Sequence, residues 1–310
     1  MKTVKIGSRA SALALAQTNW VKERLQEAHP GYDFEIIEIT TKGDKILDKP
    51  LAKVGGKGLF IKEIEVALLE KRIDMAVHSL KDMPAELPRG LKLGAIPERE
   101  DYRDVLITQD DKTLDQLPKG AKLGTSSLRR KAELLSYRDD LEVIPIRGNI
   151  NTRLAKMDSQ NLDGIVLAAA GLHRMGWEDK VTQYLNPEDF VPAVGQGALA
   201  IEIREDDHLI EDLVNEIKHQ ETENAVLAER SYLKEIEGSC KIPVGGVANC
   251  RGDQLELTAF VASINGERII KSNDSDKRDA GQELGVRLAR AILNQGGDQI
   301  LRELKRELNQ

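Results

Sequence analysis

The chain has 310 residues, 40% of them hydrophobic and 31% charged, and a formal net charge of -7. That length supports two or three domains with real cores, and the negative balance excludes a nucleic-acid binder that works by overall charge. Cys240 and Cys250 are too few for a disulfide framework and lack zinc spacing, and no apolar run approaches bilayer length, so a reduced cytoplasmic compartment is expected.

The N-terminal "MKTVKIGSRASALALAQ" has early lysines and an apolar stretch. The run after Arg9 and Ser11 is too short for a signal peptide and continues as an amphipathic helix, so we read it as mature protein. "TVKIGS" reads as a strand, Ser11 as the cap of a helix to about Ala28, and "DFEIIEIT" as a second strand. Residues 41–58, rich in Lys, Gly and Asp, read as a long loop of the kind that is usually functional or mobile. "LFIKEIEVALLEK" predicts a helix, "DMAVHS" a short buried strand ending at Ser79, and "LKLGAIP" another strand.

A second α/β unit begins at about 104, with strands at "DVLIT", "AKLGT", "LEVIPI" and "GIVLAA" and helices at "SSLRRKAELLSY" and "NINTRLAKM". Such alternation predicts mainly parallel sheets covered by helices. "PAVGQGALAIEIR" reads as a Gly-rich turn into a strand that returns the chain to the first domain. The last third changes character: a helix over about 222–237, then antiparallel strands with a hairpin at "NGE", then an amphipathic helix. This predicts a small α+β domain carrying Cys240 on the loop after its first helix.

Arginine placement is the first chemical signal. Arg9 follows a strand, Arg129 and Arg130 lie in the first turn of a helix capped by Ser126 or Ser127, Arg147 ends a strand, Arg153 starts a helix, and Arg174 follows "GIVLAA". Residues 125–156 hold seven Lys/Arg against four Asp/Glu. Cations at helix N-termini oppose the macrodipole, so they point to an anion shared with the free backbone N–H groups; the plain alternative is a solvated basic face. Ligands of open α/β sheets bind at the carboxyl ends of strands, where these residues fall. "AVHSLKDMP" places Ser79, Lys81 and Asp82 at a strand end, with Asp82 positioned for acid–base work or as a turn residue. "GGKG" lacks P-loop spacing, and the five histidines form no metal pair, so no metal is expected. Read locally, the lone Cys240 thiol in "GSCKIPVGG" is a small buried hydrophobe.

With these motifs in order, the sequence resembles the porphobilinogen deaminase (hydroxymethylbilane synthase) family. The resemblance runs through "GSRASALALAQ", "GGKGLFIKEIE", "AVHSLKDMP", "GTSSLRRKAEL", "IRGNINTRL", "AAAGLHRMG", "VGQGALAIEIR" and "EGSCKIPVGG". It implies an α/β fold of two lobes like those of type II periplasmic binding proteins, with mainly parallel mixed sheets and ligand between them, plus a small C-terminal α+β domain. The expected domains are 1–97 with 198–215, then 98–197, then 216–310. The resemblance also gives Cys240 a role: a thioether to a dipyrromethane cofactor that primes the condensation of four porphobilinogen molecules with loss of ammonia, before hydrolysis releases hydroxymethylbilane. Asp82 is then the catalytic acid–base. Arg9, Arg129, Arg130, Arg147, Arg153 and Arg174 are implied to bind pyrrole acetates and propionates, with Ser11, Ser79, Lys81, Thr125, Ser127 and Gln196 as further contacts. Lys53, Lys57 and Phe60 belong to a loop expected to cover the cleft. The expected protein is a cytoplasmic monomer with porphobilinogen as substrate and no metal, nucleic acid or membrane partner. A non-catalytic two-lobed carboxylate-binding protein is the alternative. A receptor of that kind calls for an export signal and a regulator for a helix-turn-helix, and we read neither.

Overall fold

A computed structural model describes residues 2–45, 61–84, 86–236 and 242–308. In chain order the first elements are β1 (Lys2–Arg9), α1 (Ala12–Ala28), β2 (Tyr32–Ile39), α2 (Lys42–Lys45), α3 (Lys62–Leu69), β3 (Met75–Ser79), β4 (Leu91–Ala95) and β5 (Asp104–Thr108). They continue with β6 (Lys122–Gly124), α4 (Leu128–Tyr137), β7 (Glu142–Ile144), α5 (Ile150–Ser159), β8 (Gly164–Ala168), α6 (Ala169–His173), β9 (Gln183–Tyr184) and β10 (Leu199–Arg204). The last are α7 (His208–Asn215), α8 (Gln220–Glu235), β11 (Val244–Arg251), β12 (Gln254–Ala262), β13 (Ile269–Lys277), α9 (Gly281–Ile292) and α10 (Asp298–Leu308). The loop expected over 41–58 opens with the single helical turn α2, and its remainder lies outside the described residues.

The chain forms two compact units, 1–100 with 198–223 and 101–197 with 224–310. The first holds a five-stranded sheet of order β2-β1-β3-β10-β4. β1 pairs in parallel with β2 and β3, while β10 runs antiparallel to both β3 and β4. Four strands therefore share one direction, and the returning strand β10 opposes them. All six residues of β10 are buried, as expected for a central strand covered on both faces. On α1 the buried positions Gln17, Val21 and Leu25 are four apart and form one stripe against the sheet, and Ser11 Oγ caps the helix by accepting from Ala14 N–H at 3.3 Å. Val4, Ile6, Phe34, Met75, Val77 and Ile201 fill the core beneath.

The second unit holds two sheets. The order of the larger is β7-β6-β8-β5-β9. Here β6 is parallel to β7 and β8, and β5 is antiparallel to β8 and β9. This is the arrangement of the first unit again: a strand joined directly to a crossing between units is inserted antiparallel among four of common direction. The smaller sheet, β11-β12-β13, is antiparallel throughout and is backed by α8, α9 and α10. Val247, Phe260 and Ala262 of this sheet pack with Ala132 of α4 and Val191, so the C-terminal domain supports the helix that carries Arg129 and Arg130.

α9 buries Gly281, Leu284, Gly285, Leu288, Ala289 and Ile292 along one face. Gly285 lets it approach α8 closely: a Cβ there would lie 2.3 Å from the Ala228 carbonyl oxygen and 2.8 Å from Tyr232 N. Backbone cannot give way as a flexible side chain can. Gly285→Ala should therefore destabilise the protein by ~1–3 kcal/mol in urea denaturation. A loss within ~0.3 kcal/mol of zero would show that the helices part without strain.

Candidate functional site

Because β1, β2 and β3 are parallel, their carboxyl ends share one edge of the first sheet. That edge gathers Arg9, Ser11, Ser79, Lys81 and Asp82. Gln17 Nε2 donates to Ser79 Oγ at 3.0 Å, and Ser79 Oγ donates back to Gln17 Oε1 at 3.1 Å. The Leu80 N–H donates to the Ala198 carbonyl at 3.0 Å, and the Met83 N–H closes a 3-10 turn on the Leu80 carbonyl at 3.0 Å. The turn is thus clamped to α1 and to the segment entering β10. Asp82 projects from it exposed, with no hydrogen-bond or ion-pair partner among the described residues. A carboxylate with free lone pairs on a fixed backbone can take and return a proton.

A buried polar pair stands behind this turn. The His78 Nε2–Glu202 Oε2 distance is 3.0 Å, both side chains are buried, and Glu202 Oε1 has no hydrogen-bond partner among the described residues. Burial and the nearby Glu202 raise the pKa of Glu65 on α3, against the smaller opposing pull of His78 and Lys62. Sequence reading missed this cluster. Its signal was Glu202 inside the otherwise apolar run "ALAIEI", where a carboxylate must be buried with a partner.

The second sheet likewise gathers its candidates at one edge. Thr125 and Ser127 follow β6, Arg147 follows β7, and Arg174 follows β8 through the short α6. Thr125 Oγ1 accepts from the Ser127 N–H at 3.2 Å, and Ser127, not Ser126, caps α4 by accepting from the Arg130 N–H at 3.4 Å. Ser126 Oγ instead donates to the Ile146 carbonyl at 2.6 Å. Arg153 Nε donates to the Gly148 carbonyl at 2.8 Å. Gly148 has φ of +120°, and a Cβ there would lie 2.6 Å from the Thr152 side chain, so the turn between Arg147 and α5 requires glycine. Arg174 Nη2 donates to the Gly197 carbonyl at 2.8 Å.

Arg129 and Arg130 sit on no solvated face. Arg129 is 4% exposed and Arg130 7%. The anion they share is the protein's own Asp104, which is fully buried at the start of β5. Its Oδ1 accepts from Arg130 Nη2 at 2.7 Å, Arg130 Nε at 3.1 Å and Gln196 Nε2 at 2.8 Å. Arg130 Nη1 donates to the Val166 carbonyl at 2.9 Å, and Gln196 Nε2 also reaches the Tyr102 carbonyl at 2.8 Å. Arg129 Nη1 lies 2.7 Å from Asp104 Oδ2 and 2.9 Å from Glu133 Oε2. Burial raises Asp104, but the charges of Arg129 and Arg130 outweigh it and hold the carboxyl well below the usual range. Asp104 and Glu133 escaped the sequence reading. An Asp directly before the apolar run "VLIT" was the available signal, but it fits a strand-entry turn equally well.

Lys53, Lys57, Phe60 and Cys240 lie outside the described residues. Cys250, the other cysteine, is half-buried on β11, opposite Leu255.

Comparison with known proteins bears on both units. The family model described as porphobilinogen deaminase, dipyromethane cofactor binding domain, matches residues 4–212, and that of the porphobilinogen deaminase C-terminal domain matches residues 224–294. A porphobilinogen deaminase of Alkaliphilus metalliredigens is 51% identical over 301 residues, covering 97% of this chain and 95% of the relative. One of Bacillus subtilis is 51% identical over 312 residues, covering 100% and 99%. Among solved structures, the periplasmic VFT2 domain of Bordetella pertussis BvgS aligns over 69% of this chain and 86% of its own at 17% identity, with a TM-score of 0.40.

Proposed function

The chain belongs to the porphobilinogen deaminase family, and from that premise we propose that it carries out the hydroxymethylbilane synthase reaction: a transferase that joins porphobilinogen units head to tail with loss of ammonia. The observation that carries this reading is the 51% identity to porphobilinogen deaminases along 97% or more of the chain. The same reading makes it a cytoplasmic monomer that needs no metal, built of three domains, with the β11-β12-β13 sheet and its helices as the third.

A dipyrromethane fits the donor set. It is a polycarboxylate, and Arg129 and Arg130 form a buried cationic pair in which Arg129 Nε lacks a hydrogen-bond partner among the described residues. Arg9, Arg129, Arg130, Arg147, Arg153 and Arg174 would hold its carboxylates and those of the substrate chain, and Cys240 its covalent link. When bound, the group supplies the pyrrole carbon to which the growing chain is joined. Ser11, Ser79, Lys81, Thr125 and Ser127 are further contacts to the acetate and propionate arms, while Gln196, whose amide N–H groups go to Asp104 and Tyr102, steadies the arginine cluster. Asp82 gives a proton to the departing amine of porphobilinogen, opposes the cation left on the substrate carbon, and takes the proton that the attacking pyrrole ring loses.

Intact mass spectrometry tests the reading directly. The purified protein should exceed its sequence mass by two porphobilinogen units less two ammonias, carried on the peptide that contains Cys240 and not on that of Cys250. Added porphobilinogen should then release ammonia and yield a linear tetrapyrrole. An unmodified protein that turns over at full rate would overturn the assignment of Cys240.

A further inference from the structure

One guanidinium nitrogen of Arg129 meets more acceptors than it has hydrogens. Nη1 carries two hydrogens but meets three oxygens: Asp104 Oδ2 at 2.7 Å, the Val191 carbonyl at 2.8 Å and Glu133 Oε2 at 2.9 Å. Hydrogen-bond geometry is met at Val191 and Glu133 only, so Asp104 Oδ2 receives charge without a hydrogen bond. Glu133 Oε1 and Arg129 Nε are also buried without hydrogen-bond partners among the described residues. Two full carboxylates crowd one guanidinium nitrogen, and in a buried site the costlier of them gives up its charge. Asp104 has two arginines and keeps its charge; Glu133 has one arginine and a carboxylate neighbour. Burial pushes Glu133 up to about 8, against the pull of Arg129 and helped by Asp104.

The groups facing Glu133 are Arg129 from its own helix, Asp104 from β5 and the Val191 backbone N–H from the segment after β9, which favours the ionised form. The C-terminal sheet meets this part of α4 through the apolar Val247 and Phe260.

We propose that Glu133 is a proton-linked counterion of Arg129. With its proton on, Arg129 and Arg130 exceed Asp104 by one charge and attract a substrate carboxylate; with its proton off, that excess is cancelled. The proposal rests on the reading above, in which these arginines serve the carboxylates of the substrate chain. Glu133 acts through Arg129, so it is a positioning residue. By linkage, a bound carboxylate also helps Glu133 to keep its proton.

The test is KM and kcat for porphobilinogen from about pH 6 to about pH 9.5, on the cofactor-loaded wild type and on Glu133→Gln. Glutamine keeps the shape and is neutral at every pH. The wild-type KM should climb up to ~tenfold above about pH 8 with kcat changing less, while the KM of Glu133→Gln stays flat. Glu133→Asp should restore an alkaline rise. A rise of equal size in Glu133→Gln, or a flat wild-type KM, overturns the proposal.

Urea stability reads the same proton without turnover. The folded carboxyl titrates higher than the unfolded one, so its contribution is full below the unfolded value of 4.5 and is lost as pH rises through about 8. Wild type should lose stability relative to Glu133→Gln across that window. A difference between the two proteins that does not change with pH overturns the proposal even where porphobilinogen is condensed normally. Failure to condense it with the proton in place overturns the functional reading instead.

Discussion

Replacing Asp82 by asparagine should slow porphobilinogen condensation by ~10²–10⁴-fold and leave the fold intact, because one group that moves protons and opposes a developing cation is lost. The two halves of this expectation come from the same geometry. The backbone of the turn is held by the Leu80 N–H on Ala198 and by Ser79 on Gln17, neither of which involves the Asp82 side chain. The carboxylate is exposed and has no hydrogen-bond or ion-pair partner among the described residues, so its removal breaks no bond that holds them. Urea midpoints should therefore agree to within ~0.5 kcal/mol. Asp82→Glu should retain a small residue of activity, since the charge remains but is displaced by a methylene. Single-turnover kinetics on cofactor-loaded protein separates this chemistry from primer assembly. A rate within tenfold of wild type for Asp82→Asn would make Asp82 a turn residue and remove the acid–base assignment.

Replacing Asp104 by alanine should cost ~3–5 kcal/mol of stability, because it leaves two buried arginines without their counterion. Asp104 is fully buried and is the acceptor that Arg130, Gln196 and, by charge, Arg129 have in common. Its carboxyl is held well below the usual range by those arginines, so the pair stays charged down to low pH. Combining Asp104→Ala with Arg130→Met should recover part of the loss, since an apolar replacement of both partners is better tolerated than a lone buried charge. Urea denaturation of the two single variants and the double variant measures this. A single-variant loss below ~1 kcal/mol, or strict additivity in the double, would show that water reaches the arginines and that Asp104 is not their anchor.

Much of this was legible in the chain. Ser11 starts α1, the apolar runs become the strands, and the antiparallel C-terminal sheet with its amphipathic α9 follows from the change of pattern after about 220. The rule that ligands bind at the carboxyl ends of strands singled out Asp82 in one unit, and Arg147 and Arg174 in the other. Local patterns of this kind are set by periodicity and capping, which neighbours along the chain decide.

What the sequence left open is the direction of β5 and β10. A strand reads the same whichever way it is inserted. Because β5 runs antiparallel, its first residue Asp104 lies opposite Ala168, the last residue of β8, and so reaches the edge where the other strands end. Because β10 does the same, Leu199 lies opposite Ser79, and Ala198 clamps the turn that carries Asp82. The sequence by itself determined that Arg129 and Arg130 stand at a helix N-terminus, which points to a shared anion or to a solvated basic face. Only the tertiary structure decided that the protein supplies the anion, since Asp104 is 25 residues from Arg129 along the chain and meets it only through a strand pairing that reverses the local order.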